Sequence, residues 1–224
     1  MSSHDLTPEE NKQLAALFKC PAGDEGRQLA DEMNEGGLYI NKFALEHLKI
    51  EDENQILELG MGNGHFVKEI LNKAKGLKYS GIDHSVDMVD YARKKNKRFI
   101  QDGQADFIRG DIEKLPFDDE NFDNIITVNT LYFWKSLDLG LTEIKRVLKR
   151  DGQVVIAFRP KSYIKEFPFV KYHYKLYDEA RVEEELRDRG FVKTQLKYRT
   201  EPVQEVFGKQ QAKRSCLVLG RKSN

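Results

Sequence analysis

Cysteine is scarce in this sequence, and its two cysteines, Cys20 and Cys216, lie near opposite ends of the 224 residues. This usage is typical of a reducing compartment and unlike the framework of a disulfide-stabilised secreted domain. The sequence also lacks any apolar run close to the ~20 residues that a membrane-spanning helix needs. Its polar first residues lack the charged and apolar regions of a signal peptide. We therefore expect a soluble, cytoplasmic protein without a membrane span.

An excess of positive charge is missing as well, because 37 Lys and Arg residues are balanced by 37 Asp and Glu residues. Proteins that bind DNA or RNA need basic side chains for the phosphates, so this balance disfavours nucleic acid as a partner. None of the five histidines lies at metal-ligand spacing from another histidine, a cysteine or an acid. We therefore expect neither a metal site nor a nucleic-acid partner.

The first fifty residues carry helical patterns and no strand pattern. Thr7 is followed by a proline and then by Glu10, which is the start signal of a helix with a capping box. We interpret residues 1–50 as an N-terminal helical cap on a single globular domain at 51–224, with helices that begin after Thr7 and cover 26–33 and 38–48.

From residue 54 onward, short apolar strands alternate with helices, which is typical of an α/β protein whose parallel sheet is covered on both faces. The end of the chain differs, because two strands follow a charged helix with no helix between them, which predicts an antiparallel hairpin at the sheet edge. The predicted strands are 55–59, 77–82, 106–109, 122–128, 153–158, 191–199 and 215–221, and the predicted helices are 66–74, 85–95, 137–148 and 178–189.

A glycine-rich loop, with Gly60, Gly62 and Gly64, directly follows the first strand. Glycine lets the backbone approach a ligand closely at the carboxyl end of a parallel strand. The spacing does not match the dinucleotide fingerprint G-x-G-x-x-G, because Gly64 comes two residues after Gly62, and no Walker A lysine follows. The loop therefore favours a ligand that needs close backbone contact without necessarily carrying phosphate.

Acidic residues follow the next two strands. Asp83 ends the second strand, where a carboxylate can accept hydrogen bonds from both hydroxyl groups of a ribose. Asp111 follows the third strand at the same edge of the predicted sheet. Free ribose hydroxyls indicate a ligand of the adenosine type.

With these motifs the chain resembles the class I S-adenosylmethionine (SAM)-dependent methyltransferases over residues 54–160. Residues 58–64 are similar to the family's E/D-x-G-x-G-x-G loop, and residues 110–117 to its segment that ends in Leu-Pro-Phe. Residues 122–126 resemble the fourth-strand motif, and 148–153 the L-K-P-G-G turn, with Arg and Asp in place of Pro and Gly. The closest resemblance is to small-molecule methyltransferases of the quinone-biosynthesis type.

The resemblance implies a Rossmann-like, seven-stranded, mostly parallel sheet of order 3-2-1-4-5-7-6, with the last strand antiparallel and helices on both faces. It also implies SAM as cofactor and S-adenosylhomocysteine as product. In the family pattern the glycine loop contacts the methionine part of SAM, and Glu58 and Asn129 reach its ammonium group. Asp83 holds the ribose hydroxyls. His84 and Met88 flank the adenine ring, and Asp111 and the Ile112 amide bind its edge. The SAM-binding residues so implied are Glu58, Gly60, Gly62, Gly64, Asp83, His84, Met88, Asp111, Ile112 and Asn129.

Structural alternatives exist for several of these residues. The glycines suit a plain strand-to-helix turn, and Asp83 suits the N-cap of the following helix. Met88 at helical spacing suits a core position, with adenine contact as the other interpretation. Asp111 could be an ordinary loop acid.

An aromatic segment follows the fifth predicted strand, at the ligand end of the sheet. One interpretation is a helix that packs its aromatic face on the sheet. The other is a lid at 161–178 that encloses an apolar or aromatic methyl acceptor, with Tyr39 as a further candidate to face the methyl group. The aromatic residues of this lid would be Phe167, Phe169, Tyr172 and Tyr174.

The function predicted from the resemblance is in-line transfer of the SAM methyl group to a small-molecule acceptor, apolar or aromatic. A general base is needed only if the acceptor must lose a proton, and the sequence does not select one. The alternatives are a protein that binds SAM without turnover and, disfavoured by the glycine spacing, a nicotinamide-dependent oxidoreductase. Candidate bases are His65, His84, Tyr132 and His173.

Overall fold

The computed structural model describes residues 6–223, which form nine α-helices and seven strands. The strands are β1 (Gln55–Leu59), β2 (Lys78–Asp83), β3 (Ala105–Arg109), β4 (Phe122–Val128), β5 (Leu148–Phe158), β6 (Phe191–Val206) and β7 (Lys209–Lys222). The helices are α1 (Pro8–Lys19), α2 (Gly23–Gly36), α3 (Leu38–His47), α4 (Val67–Leu71), α5 (Val86–Lys95), α6 (Lys97–Gln101), α7 (Leu137–Val147), α8 (Lys161–Ile164) and α9 (Glu179–Asp188).

The seven strands form one sheet of order β3-β2-β1-β4-β5-β7-β6, which confirms the predicted order. β1 to β5 pair in parallel, and β7 runs antiparallel between β5 and β6. Because the parallel strands share a direction, their carboxyl ends all reach the same edge of the sheet. The loops after β1, β2, β3 and β4 therefore converge there.

Two apolar layers cover the two faces of this sheet. Side chains alternate between faces along a strand, so Val154 and Ile156 pack in one layer while Val155 and Ala157 pack in the other. The first layer is completed by α7, α9 and the aromatic segment, and the second by α3, α4 and α5. Helices on both faces confirm the predicted fold class.

The predicted helix start at Thr7 is present, with a reciprocal capping box between Thr7 and Glu10. α3 packs on one face of the sheet against β4 and β5, whereas α1 and α2 lie over the carboxyl edge. The division into a cap at 1–50 and a domain at 51–224 stays a prediction. None of the helices in the described residues is both long and apolar enough to cross a membrane.

The C-terminal hairpin is longer than predicted, because β6 continues to Val206 and β7 begins at Lys209. The added residues are mostly polar and lack the alternating apolar pattern from which a strand is predicted. Their strand structure comes from pairing between β6 and β7. Pro202 is tolerated because β6 is an edge strand and its register shifts between Thr200 and Val203. The tip of this hairpin reaches the aromatic segment, where Phe207 packs on Phe167.

Candidate functional site

A cavity of about 220 Å³ lies at the carboxyl edge of the sheet, beneath the N-terminal helices. The loops after β1 to β4 form its floor and sides, and the end of α1 and part of α2 cover it. Seven of the ten residues implied by the family resemblance line this cavity: Gly60, Gly62, Asp83, His84, Asp111, Ile112 and Asn129.

The glycine loop is held in place by backbone and side-chain contacts around it. Gly60 has φ +70°, and a Cβ there would lie 2.3 Å from Cγ2 of Thr130, so the loop after β4 presses directly against it. Gly62 has φ +56° with open space around it, and its N–H donates to Oδ2 of Asp83 at 3.0 Å. Gly62 therefore leaves room in the cavity, whereas Gly60 makes room for Thr130.

Asp83 is buried at the end of β2 and organises two loops. Its Oδ2 accepts from Gly62, and its Oδ1 accepts from the N–H of Ser85 at 2.9 Å. Burial raises the pKa of Asp83, although the two backbone N–H groups act in the opposite direction. A carboxylate has about four acceptor positions, so two remain for a ligand. The N-cap of α5 is Ser85, whose Oγ accepts from the N–H of Met88.

Asp111 lies in the loop after β3 and forms an ion pair with Lys135. Lys135 was not among the residues predicted from the sequence. The Lys135 ammonium group lowers the pKa of Asp111. Oδ1 of Asp111 accepts a hydrogen bond from the N–H of Glu113 at 3.1 Å. Asp111 and Lys135 both line the cavity, so a charged pair borders the end of the site opposite the glycine loop.

Asn129 follows β4 and adopts a left-handed backbone conformation beside the cavity. It has φ +58°, and its N–H donates to the carbonyl oxygen of Ala157 at 2.8 Å, which fixes the backbone. Its Oδ1 is buried and has no hydrogen-bond partner among the described residues. An unpaired buried acceptor costs about 1–3 kcal/mol, which a ligand that donates a hydrogen bond would recover.

Three of the implied residues lie outside the lining of the cavity. Glu58 is buried in β1, where its Oε2 accepts from the Tyr79 hydroxyl at 2.6 Å. Burial raises the pKa of Glu58 to about 7. Met88 is fully buried in α5, and Gly64 packs against Asn96. Direct contacts of Glu58, Gly64 and Met88 with SAM stay predictions.

The last two glycines of the loop, Gly62 and Gly64, provide a matched test. Gly64→Ala should destabilise the fold by about 2 kcal/mol, because its Cβ would lie 2.7 Å from Nδ2 of Asn96 at a positive φ. Gly62→Ala meets no atom within 4 Å, so its stability loss should be smaller. Thermal unfolding and calorimetry with S-adenosylhomocysteine measure both effects. We expect Gly62→Ala to weaken ligand binding more and Gly64→Ala to lower the melting temperature more, and the reverse order would contradict this assignment.

A second cavity, of about 440 Å³, adjoins the first. The two cavities share Phe18, Met33, Asn129 and Phe133 in their walls. The larger one is rich in aromatic residues, and α1, the segment after β5 and the hairpin tip all contribute. Its aromatic residues are Phe18, Tyr132, Phe133, Tyr163, Phe167, Phe169, Tyr174 and Phe207.

Residues 161–178 therefore form a wall of the larger cavity, although Tyr172 and Tyr39 are not part of its lining. Phe169 contacts Phe18 of α1 with ring centroids 5.1 Å apart, and Phe167 stacks on Phe169 at 5.5 Å. These contacts close the cavity between the N-terminal helices and the segment. Whether the segment moves as a lid stays a prediction.

The candidate bases are dispersed. His84 lines the smaller cavity and Tyr132 the larger one, where the Tyr132 hydroxyl accepts from the N–H of Arg159. His65 is exposed beside Lys95, and His173 lines neither cavity. In the described part of the chain, no group of three or more His, Cys, Asp or Glu residues is arranged to hold a metal ion. The structure selects no general base.

A family of known sequences matches the part of the chain that builds the smaller cavity. The family model described as a methyltransferase domain matches residues 57–156. YrhH of Bacillus subtilis (strain 168), which is provisionally named a methyltransferase, is 30% identical over 132 residues, which cover 59% of this chain and 72% of YrhH. The fatty-acid O-methyltransferase of Mycolicibacterium smegmatis is 27% identical over 139 residues, 62% of this chain and 49% of that enzyme.

The fold has solved counterparts too. One chain of the complex between the Haloferax volcanii Trm112 methyltransferase activator and a provisionally named methyltransferase superposes with a TM-score of 0.72. It is 19% identical, and the match covers 87% of this chain and 93% of that chain, which shows a common fold. The chain belongs to the class I SAM-dependent methyltransferases. It spans 72% of YrhH but about half of the fatty-acid O-methyltransferase, at 49%.

Proposed function

We propose that this protein transfers the methyl group of SAM to a small apolar or aromatic molecule. The observation that carries the proposal is the pair of adjoining cavities. The smaller has the glycine loop and the acids of the family, and the larger has aromatic walls. Asn129 borders both, so a cofactor in one cavity and an acceptor in the other would meet at this residue.

The residues of the smaller cavity fit SAM by their chemistry. Asp83 has free acceptor positions for ribose hydroxyls, and Gly62 leaves open space beside it. The unpartnered Oδ1 of Asn129 suits a donor such as the ammonium group of the methionine part. Asp111 and Ile112 line the same cavity, and the family pattern implies that they hold the adenine edge.

When bound, SAM supplies a methyl group already activated on a sulfonium. The chain then has to orient the acceptor and exclude water, for which near-attack placement is the main source of rate. Phe18, Met33 and Phe133 line both cavities and make their junction largely apolar. A proton acceptor is required only for an acceptor that is protonated at the reacting atom.

The apolar walls and the balanced charge favour a small molecule over nucleic acid as acceptor. A fatty acid is the acceptor named for the Mycolicibacterium smegmatis relative, and an apolar chain would suit the larger cavity here. The size of that cavity, about 440 Å³, lies within the roughly 300–1,000 Å³ typical of small-molecule sites.

The proposal is tested first by calorimetry with SAM and S-adenosylhomocysteine, for which we expect micromolar dissociation constants. Methyl-labelled SAM is then incubated with a panel of fatty acids, phenols and quinols, and labelled product is extracted and counted. Absence of heat with both cofactor forms, together with an NADH fluorescence shift, would support a nicotinamide-dependent enzyme instead. Binding of SAM without label transfer to any acceptor class would favour a SAM-binding protein that lacks turnover.

A further inference from the structure

The larger cavity has one cationic corner in walls that are rich in aromatic residues. Arg159 follows β5 and Lys213 lies in β7, and both side chains line this cavity but not the smaller one. Lys213 Nζ donates to the carbonyl oxygen of Gly36 at 2.8 Å, and Nη2 of Arg159 reaches the same oxygen at 3.4 Å. The two cations therefore converge on one point at the C-terminal end of α2.

The positive charge of this corner is only partly balanced. Nη1 of Arg159 pairs with Glu201, which is fully buried behind it, and also donates to Oγ of Ser215 at 2.9 Å. The single carboxylate of Glu201 thus balances only one of the two positive charges of Arg159 and Lys213. Burial lowers the pKa of Lys213, and the Arg159 charge acts in the same direction while Glu201 opposes it. Both carboxylates in the cavity wall, Glu32 and Glu205, are exposed, where solvent screens their charge.

A third donor stands in the same wall. The hydroxyl of Tyr163 is buried, and residues 6–223 offer it no hydrogen-bond partner. A hydroxyl group that is buried without a hydrogen-bond partner costs about 1–3 kcal/mol of stability, unless a ligand supplies an acceptor. The corner of Arg159 and Lys213 therefore offers hydrogen-bond donors and, against the single buried Glu201, one excess positive charge.

We propose that Arg159, Lys213 and Tyr163 form a carboxylate-binding subsite, and that the methyl acceptor is an apolar or aromatic acid that is anchored there and carries its nucleophilic atom on a second group, such as a hydroxyl. This inference rests on the proposed function and specifies its substrate class. A carboxylate would be bound by charge-assisted hydrogen bonds, and its apolar body would lie along Phe167 and Phe169.

The role assigned to this subsite is anchoring. Arg159 and Lys213 line only the larger cavity, so they do not border the junction at Asn129. A carboxylate paired with two cations is also a weaker nucleophile than a free one. Binding at one end would instead orient the rest of the acceptor toward the junction.

The test uses octanoate and octanamide, which share a chain and differ in charge. Calorimetry with the full chain saturated with S-adenosylhomocysteine should show about tenfold tighter binding of octanoate. Lys213→Met should remove most of this preference, and Tyr163→Phe should reduce it several-fold. Tyr163→Phe removes no hydrogen bond within the described residues, so its folding should be intact. Lys209→Gln, at an exposed position of the same hairpin, is the matched control and should keep the preference.

Equal affinity for the acid and the amide, failure of both to bind, or an undiminished preference in Lys213→Met would overturn the subsite. The affinity for S-adenosylhomocysteine is measured separately on the ligand-free form of each protein and should be unchanged in all three variants. Loss of the acid preference with intact S-adenosylhomocysteine binding concerns the subsite alone. Absence of S-adenosylhomocysteine binding in the unmodified protein would instead refute the proposed function.

Discussion

Replacing Asp83 by alanine is expected to weaken the binding of S-adenosylhomocysteine by on the order of 100-fold or more. The carboxylate loses two roles at once, because it holds the N–H groups of Gly62 and Ser85 and is the implied acceptor for both ribose hydroxyls. Hydrogen bonds to a charged group are worth roughly 1.5–3 kcal/mol each, so two of them account for a loss of this size. Titration calorimetry measures it directly.

A second ligand separates the two roles of Asp83. An S-adenosylhomocysteine analogue that lacks one ribose hydroxyl should bind the unmodified protein about tenfold more weakly. In Asp83→Ala the missing hydroxyl should have little further effect, because its partner is already gone. Asp90→Ala removes an exposed carboxylate from the next helix and serves as the control. If Asp83→Ala bound S-adenosylhomocysteine as tightly as the unmodified protein, the cofactor assignment would be wrong.

The position of Asp83 could be predicted because strand ends determine it. An acid that directly follows a parallel strand reaches the carboxyl edge whatever the rest of the chain does. The same reasoning placed Asp111, whereas Asn129 was implied by the family resemblance, and all three line the smaller cavity. The first three strands were predictable for a related reason, since each is a short run that ends at a glycine or an acid.

Other parts of the site depend on contacts that no local pattern encodes. Lys135 reaches Asp111 because of the path of the chain after β4, which passes through a short 3₁₀ helix at Leu131–Phe133. Arg159 and Lys213 meet only because β7 pairs beside β5 in the antiparallel direction. The pairing of distant strands therefore decides the chemistry of the larger cavity.

Whether a residue within a helix or strand faces the cavity is harder to predict from the sequence than whether a residue at its end does. Met88 belongs to the buried side of α5, and a small rotation of that helix would decide whether it faces adenine or the core. Glu58 precedes the glycine loop, yet its side chain turns toward Tyr79 of the neighbouring strand. Side-chain direction, rather than position along the chain, separates these residues from the cavity.

The second large expected effect concerns Glu58, whose titration should make the free energy of unfolding depend on pH. Burial raises its pKa from an ordinary 4.5 to about 7, although the bond from Tyr79 acts in the opposite direction. Between these two pH values the folded chain binds more protons than the unfolded chain. The free energy of unfolding therefore falls as the pH rises through that window. At about 1.4 kcal/mol per pKa unit, the contribution lost by pH 8 is roughly 3 kcal/mol.

Glu58→Gln replaces the titrating group by a neutral one that can still accept from the Tyr79 hydroxyl. Relative to the unmodified protein, the variant should gain roughly 3 kcal/mol between pH 4.5 and pH 8, or about 6–12 °C in melting temperature. Scanning calorimetry across this range measures the gain, and the difference between the proteins removes the contributions of groups that do not interact with Glu58. Glu69→Gln, at an exposed position in α4, should show no comparable gain. A melting-temperature difference between Glu58→Gln and the unmodified protein that stays constant with pH would show that Glu58 is ionised in the folded chain throughout.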